Sequence, residues 1–287
     1  MKYIDLHVHS NASDGTLSPK EVTEEAWKQN LAAFALTDHD TIQGIQAAME
    51  QSKKMAADGK EIEVIPGVEL SVEYKKRDIH MLGLMIDYED AALKKSLDDA
   101  RTERSTRNDK MVKNLSDAGL DITMEELRTL SGDAVITRAH FGKLLLQKNY
   151  VKTLNEAFEK YLGEDGPYYV PRKYISPEDS IDLIRAAGGI PVLAHPLLYK
   201  LPEEELDALI RRLKEHGLIG IETFYSANMG FDEDIVRRYA NKYDLIMTGG
   251  SDFHGANKPL IQLGTGKGNL KIPYSILETL KETKQNL

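Results

Sequence analysis

Apolar positions along the chain fall into short runs separated by longer amphipathic stretches. Tyr3-Ile-Asp-Leu-His7 reads as a strand. Helical spacing follows Ser18-Pro19-Lys20-Glu21: Ser18 can cap, Pro19 suits the first turn, and Glu21 stands three residues after the cap. Leu31–Thr37 is a second strand, bounded by Asp38. A helix from about Thr41 to Ala57 stops at Asp58-Gly59, and Glu63–Glu69 is a third strand. This alternation predicts a parallel sheet with helical crossovers.

The next connection breaks the pattern. Leu70 to Asp78 holds no helix signal, whereas a parallel crossover needs about a dozen or more residues. Val68–Val72 and Asp78–Ile86 therefore read as a hairpin that brings Glu69 near His80. From about Tyr88 to Ile175 charged helical stretches follow one another without strands: Asp90–Ala118, Thr123–Leu130, Arg138–Lys148 and Leu154–Leu162. Alternation resumes with a helix opened by Ser176-Pro177 and ended by Gly188-Gly189. Strands Ile190–His195, Gly220–Thr223 and Leu245–Gly249 then alternate with helices Glu203–His216, Asp232–Lys242 and Ile272–Glu282. The expected fold class is α/β: seven strands in a closed or nearly closed β/α (TIM-like) barrel built from residues 1–87 and 176–287. Residues 88–175 form a helical insertion. No internal repeat or low-complexity tract interrupts this order.

Composition narrows the functional classes. A chain of 287 residues, 41% hydrophobic and 29% charged, can bury a sizeable core without staples. Cysteine is absent, which excludes disulfides and thiolate metal ligands. Thirty-seven Lys and Arg against 46 Asp and Glu give a net charge of −9, a poor match for coating duplex nucleic acid. A small anion at a locally positive site remains compatible. No apolar run approaches the ~18 residues of a membrane span, and Met1 to Ser10 lacks the apolar region of a secretory signal. The expectation is a cytoplasmic protein with no membrane partner.

Six of the eight histidines stand at or beside predicted strand ends: His7, His9, His39, His80, His195 and His254. Asp14, Glu69 and Asp252 accompany them. In a barrel, strand ends and the loops after them converge on one mouth. Side chains two apart on an extended segment point the same way, so His7-Val-His9 presents two imidazoles together and Asp252-Phe-His254 a carboxylate with an imidazole. Imidazole and carboxylate without thiolate suit Mn²⁺, Fe²⁺ or Zn²⁺. A lone His-x-His is more often a surface or core feature, but histidine is nearly absent from the rest of this chain. Nine candidate ligands exceed one tetrahedral ion. They imply two or three divalent metal ions sharing a bridging carboxylate, for which Glu69 is the candidate.

Asp5-Leu-His7-Val-His9-Ser10, Asp14-Gly15, Thr37-Asp38-His39-Asp40, Gly67-Val68-Glu69, His80-Met-Leu-Gly83, Ala194-His195-Pro196 and Gly250-Ser251-Asp252-Phe253-His254-Gly255 together resemble the motifs of the PHP (polymerase and histidinol phosphatase) superfamily. The resemblance runs in order from residue 5 to residue 255. It implies a distorted seven-stranded PHP barrel, a multinuclear metal site and phosphoesterase activity. The ligands it implies are His7, His9, Asp14, His39, Glu69, His80, His195, Asp252 and His254. Asp14, His39, Asp252 and His254 are taken as the catalytic group among them. The insertion and Ile136-Thr137-Arg138-Ala139-His140 resemble the branch of nucleotide phosphatases and 5′–3′ exoribonucleases, with Ala139 where that branch commonly has proline.

The expected activity is hydrolysis of a phosphomonoester of a nucleotide, a nucleoside 3′,5′-bisphosphate or 5′-monophosphate, by a hydroxide activated at several metal ions. Arg138 is the candidate phosphate clamp, since a guanidinium can hold two phosphate oxygens in a fork. His140 and Glu222 are further candidate substrate contacts; a surface ion pair for Arg138 and a helix-start contact for His140 are the plainer readings. Asp5 and Asp38, beside ligands, either orient imidazoles or cap turns. Arg101, Arg104 and Arg107 read as a solvated mixed face, and Tyr168-Tyr169 as packing or a base-stacking pair. The alternatives are 5′–3′ exoribonuclease action on short RNA, a histidinol-phosphate-type phosphatase, C–N hydrolysis as in amidohydrolase barrels, and a non-catalytic metal-binding module. No lysine occupies a predicted ligand position, which favours phosphoester over C–N chemistry.

Overall fold

A computed structural model of the chain describes residues 2–75, 77–132, 136–163, 166–170 and 175–287. Seven strands form one sheet in sequence order: β1 (Tyr3–Val8), β2 (Leu31–Leu36), β3 (Glu63–Tyr74), β4 (Arg77–Leu84), β5 (Ile190–Leu193), β6 (Gly220–Tyr225) and β7 (Ile246–Gly250). Neighbours pair in parallel except around β4, which runs antiparallel to both β3 and β5. The expected hairpin is therefore present, with Ser71 opposite His80. The far edge returns to β1: Val8 bridges Phe253, and the His9 N–H donates to the Phe253 carbonyl at 3.0 Å. The sheet is nearly closed, as a β/α barrel requires.

The helices start where capping chemistry places them. α1 (Pro19–Lys28) opens with the reciprocal Ser18–Glu21 capping box. α2 (Ile45–Ala57) begins four residues later than Thr41. The intervening backbone extends the sheet instead: His39 bridges Glu69, and the Asp40 N–H donates to the Glu69 carbonyl at 2.9 Å. α3 (Ala91–Asp117), α4 (Met124–Ser131), α5 (Arg138–Gln147) and α6 (Leu154–Ala157) follow, the last running into a single π turn over Phe158–Leu162. α7 (Pro177–Ala186), α8 (Glu203–His216), α9 (Asp232–Lys242) and α10 (Ser275–Gln285) complete the chain. Among the described residues, no helix is long and apolar enough to cross a membrane.

The chain divides into two compact units, Met1–Lys94 with Ile175–Leu287, and Lys95–Tyr174. In the first, Ile4, Leu6, Ala33, Ile65, Leu82 and Val192 form one core with Leu277 and Leu280 of α10. A second cluster joins Val8, Phe34 and Leu36 to Val22 and Ala26 of α1 and Ala48 of α2, on the outer face of the sheet. The second unit has a core of its own, including Met111, Leu115, Leu127, Phe141, Leu145 and Leu162. In that unit Arg101 is exposed while Arg104 and Arg107 are buried, so a fully solvated arginine face does not form. Tyr168 stacks on Tyr161, with ring centroids 6.0 Å apart, and packs against the same core.

Candidate metal centre

A register slip in β1 aims its two histidines. Ile4 and Leu6 belong to the core with α10, whereas Val8 belongs to the cluster with α1, and the pairing with β2 shifts between Asp5 and Val8. Such a slip re-aims side chains at the rim of a barrel. His7 and His9 then lie with ring centroids 5.1 Å apart. β7 comes close enough to secure them: a Cβ on Gly250 would fall 2.2 Å from His7 Cβ, so only glycine fits there. The loop beyond β7 delivers Asp252 and His254. Asp252 at φ +57° and His195 at φ +23° are non-glycine residues in the left-handed region, a conformation that clusters at functional sites. His80 reaches the same place from near the start of β4 because that strand runs backwards.

Glu69, fully buried at the heart of β3, gathers the imidazoles. Its Oε1 lies 2.8 Å from His80 Nδ1 and 3.0 Å from His195 Nε2. Its Oε2 lies 3.2 Å from the Nε2 atoms of both His7 and His9 and 3.0 Å from His39 Nδ1. Asp14 Oδ1 is 3.1 Å from His254 Nε2. Asp252 Oδ1 is 3.3 Å from His254 Nδ1 and 3.5 Å from His9 Nε2. All nine candidate ligands therefore converge. Three overlapping groups have donor atoms within 4.8 Å of one another: His9, Asp14, His39 and His254; His7, His9 and Glu69; and His39, Glu69 and His80.

Divalent ions suit this set. The buried atoms His7 Nε2, His9 Nε2, His39 Nδ1, His195 Nδ1 and Glu69 Oε2 have no hydrogen-bond partner. Buried polar atoms are normally satisfied, and the nitrogens of His7, His9 and His39 grouped around Glu69 Oε2 are what a cation would satisfy. The two Glu69 oxygens face different imidazoles, the arrangement a shared carboxylate needs.

The charges are strongly coupled. Burial alone would raise the Glu69 carboxyl, but His39, His7 and His80 hold it well below the usual carboxylate range. Asp14 is likewise held low against burial by His254 and His39. Burial would lower His7, yet Glu222 and Glu69 keep it well above the ordinary imidazole value. Burial also opposes a charged His39, but Glu69 and Asp14 push it up to about 9. His9 goes the other way: burial and then His254 hold it well below.

Residues behind the candidate ligands fix their orientation. Glu222, a candidate substrate contact by position, supports two candidate ligands. It is buried, its Oε1 accepts from His7 Nδ1 at 2.9 Å, and its Oε2 accepts from the His195 N–H at 2.8 Å. Both oxygens are engaged in holding candidate ligands. With its proton kept on Nδ1 by Glu222, His7 would offer the Nε2 lone pair to an ion bound beside Glu69. Among the described residues, neither Asp5 nor Asp38 accepts a hydrogen bond from an imidazole. Asp5 accepts from the backbone N–H groups of His7, Ser251 and Gly264, tying β1 to the loops after β7. Asp38 accepts from the Ser10 N–H and from the hydroxyls of Ser10 and Ser13. Both are backbone and turn anchors.

Three supporting side chains carried no recognised sequence signal. The Tyr225 hydroxyl donates to Asp252 Oδ2 at 2.7 Å, and Lys258 Nζ approaches the same oxygen at 2.6 Å. The Tyr199 hydroxyl links strand ends, donating to the Ala194 carbonyl at 2.5 Å and accepting from the His80 N–H at 3.1 Å. In the helical unit, the Arg138 guanidinium lies 5.5 Å from the centre of the Tyr169 ring. His140 Nδ1 accepts from the Thr137 N–H at 3.0 Å, a helix-start contact.

Residues 5–175 match the PHP domain family model. A 5′-3′ exoribonuclease of Haemophilus influenzae is 35% identical, over 88% of this chain and 90% of that protein. A 3′,5′-nucleoside bisphosphate phosphatase of Chromobacterium violaceum is 34% identical, over 88% of each. Among solved structures, an amidohydrolase from Chromobacterium violaceum with bound sulfate superposes with a TM-score of 0.86 at 32% identity, covering 98% of this chain and 96% of that one. With its barrel, its converging histidines and carboxylates and these similarities, the chain belongs to the PHP domain family and is a metal-dependent phosphoesterase.

Proposed function

We propose that the chain hydrolyses a phosphomonoester of a nucleotide, a nucleoside 3′,5′-bisphosphate or 5′-monophosphate, using two or three divalent ions from among Mn²⁺, Fe²⁺ and Zn²⁺. The observation that carries this reading is Glu69 enclosed by five imidazoles, with Asp14 and Asp252 beside them. His7, His9, Asp14, His39, Glu69, His80, His195, Asp252 and His254 would hold the ions. Bound there, divalent ions supply Lewis-acid stabilisation of phosphoryl oxygens and activate water at neutral pH.

The chain's own groups set the stage for that chemistry. Three candidate ligand carboxylates carry −3, so three divalent ions would turn the mouth positive on a chain of net charge −9 and admit a phosphate. Glu222 fixes the His7 tautomer. Asp5 and Asp38 fix the loops. Arg138 is the proposed phosphate clamp of the helical unit. The 34% identical bisphosphate phosphatase favours a nucleotide, and the 35% identical exoribonuclease keeps short RNA as the second reading.

The test is phosphate or nucleotide release with Mn²⁺ from one panel: AMP, adenosine 3′,5′-bisphosphate, a 5′-phosphorylated RNA trimer and histidinol phosphate, each repeated with chelator. Chelator-sensitive release fastest from the bisphosphate or AMP is expected. Preference for the trimer selects the exoribonuclease reading, and preference for histidinol phosphate or silence across the panel refutes the nucleotide reading.

A further inference from the structure

Asp252 offers its two oxygens to different neighbours. Oδ1 faces the imidazoles of His254, His9 and His7, at 3.3, 3.5 and 3.8 Å. Oδ2 faces away from them and is held twice, by the Tyr225 hydroxyl at 2.7 Å and by Lys258 Nζ at 2.6 Å. The Tyr225 hydroxyl already turns this carboxylate, and the lysine adds a charge beside it. The two donors differ in exposure. Tyr225 is buried, whereas the Lys258 side chain is 37% exposed against 6% for Asp252. Lys258 thus stands between a candidate metal ligand and solvent. An ammonium has three donors, and the bond to Asp252 uses one.

The loop that carries Lys258 is held in place. The Ala256 N–H donates to the Thr16 hydroxyl at 2.9 Å, and the Asn257 carboxamide donates to the Asp14 carbonyl at 2.6 Å. The Lys258 N–H closes a turn onto the Gly255 carbonyl at 3.1 Å. Both outside anchors belong to the segment that supplies Asp14. The lysine is therefore presented from a tethered loop at the centre's edge. Its ammonium is paired with a candidate ligand carboxylate.

We infer that Lys258 is a phosphate-binding residue of the barrel unit, its ammonium bridging Asp252 Oδ2 and a non-bridging oxygen of the substrate phosphoryl group. This rests on the phosphoesterase reading and adds to it a cation beside the candidate ligands themselves. Tyr225 then has the separate task of holding Asp252 with Oδ1 toward the imidazoles. A flexible ammonium suits a group whose negative charge redistributes as the ester bond breaks, because it can follow the oxygen without a fixed fork.

The test uses Mn²⁺-loaded wild type and the variants Lys258→Met, Lys258→Arg and Tyr225→Phe, with inorganic phosphate as the probe. Calorimetry gives the phosphate affinity, and titration of the apoproteins gives Mn²⁺ affinity and stoichiometry. Lys258→Met is expected to weaken phosphate binding about tenfold to a hundredfold, the loss of one charged hydrogen bond. Its Mn²⁺ affinity changes far less than its phosphate affinity, because the Tyr225 hydroxyl still holds Asp252 Oδ2. Lys258→Arg recovers part of the phosphate affinity. Tyr225→Phe shows the opposite split, weaker Mn²⁺ binding with phosphate affinity preserved once metal is saturating. Equal phosphate affinity in wild type and Lys258→Met overturns the assignment while leaving the phosphoesterase reading intact. Mn²⁺ affinity falling in step with phosphate affinity in Lys258→Met also overturns it, making Lys258 a positioning group for Asp252. A wild-type protein that takes up Mn²⁺ and binds no phosphate overturns both.

Discussion

Glu222→Gln isolates the carboxylate beneath His7. Glu222 is buried, and each of its oxygens accepts one hydrogen bond, from His7 Nδ1 at 2.9 Å and from the His195 N–H at 2.8 Å. Glutamine has the same shape but only one acceptor oxygen. If that oxygen stays on the His195 N–H, the NH₂ faces His7 Nδ1, which must then accept. The His7 proton moves to Nε2, the atom turned toward Glu69 and needed for an ion. If the oxygen stays on His7 instead, the NH₂ meets the His195 N–H and two donors oppose each other. The second arrangement forfeits a buried hydrogen bond, which costs about 1–3 kcal/mol of stability; the first keeps both bonds but holds His7 in the wrong tautomer for an ion. Removing the acceptor behind an imidazole ligand typically weakens metal affinity about tenfold to a hundredfold, or about 1.4–2.8 kcal/mol. The assay is a Mn²⁺ titration of the apoprotein against a competing chelator, with thermal melting as a check on folding. Glu222→Gln is expected to bind Mn²⁺ more weakly by that factor. Unchanged Mn²⁺ affinity with only a raised KM would mean that Glu222 meets the substrate after all, and the orientation argument would be wrong.

Gly250→Ala should cost about 1–3 kcal/mol by overpacking, because the new Cβ would meet the His7 Cβ at 2.2 Å and the His7 backbone N at 2.5 Å; an unchanged Tm would show that β1 gives way freely. The His39 value of about 9, above its ordinary 6.5, stabilises the apoprotein fully below pH 6.5, and that stabilisation is lost as pH rises through 9. An ion on His39 must displace this proton, so Mn²⁺ affinity should climb with pH across the same window and binding at pH 7.5 should release protons; calorimetry in two buffers of different ionisation enthalpy that finds no release removes His39 from the ligand set. Arg138→Ala should raise KM for a phosphorylated substrate about tenfold or more, by loss of charged hydrogen bonds, with Mn²⁺ stoichiometry unchanged; identical kinetic constants would remove Arg138 as a clamp.

The strand ends that carry histidine were legible because polar residues of one kind recur where short apolar runs stop. The hairpin was legible because the Leu70–Asp78 connection is too short for a parallel crossover, and the structure turns it into the Ser71–His80 register that brings His80 to 2.8 Å from Glu69. The supporting groups were harder to read. Glu222 lies in an apolar strand, where a carboxylate must find a partner or stay neutral. That signal points to burial without saying whether the partner is an imidazole or a substrate. Lys258 had no pattern to mark it, since its position depends on a loop path fixed by Thr16 and Asp14 more than two hundred residues earlier in the chain. Arg104 and Arg107 misled by composition: arginines three apart on a charged helix read as solvated, yet both are buried.

The sharpest limit lies in β1. Ile4, Leu6 and Val8 alternate cleanly with Asp5, His7 and His9, and period two alone assigns the three apolar residues to one face and the histidines to the other. The structure divides them differently, with Ile4 and Leu6 in the core that includes α10 and Val8 against α1. Alternation correctly makes His7 and His9 travel together, because the slip between Asp5 and Val8 leaves their mutual spacing intact. It cannot give the face they share, since one irregular residue reverses the phase of everything beyond it. That phase is set from outside the strand. The Asp252 N–H donates to the His7 carbonyl at 2.9 Å, the His9 N–H donates to the Phe253 carbonyl at 3.0 Å, and Gly250 admits His7 where any side chain would exclude it. The direction of the first candidate ligand pair is thus decided by the loop that brings the last one, which is why a His-x-His motif becomes informative only when the distant Gly-Ser-Asp-Phe-His segment is present to receive it.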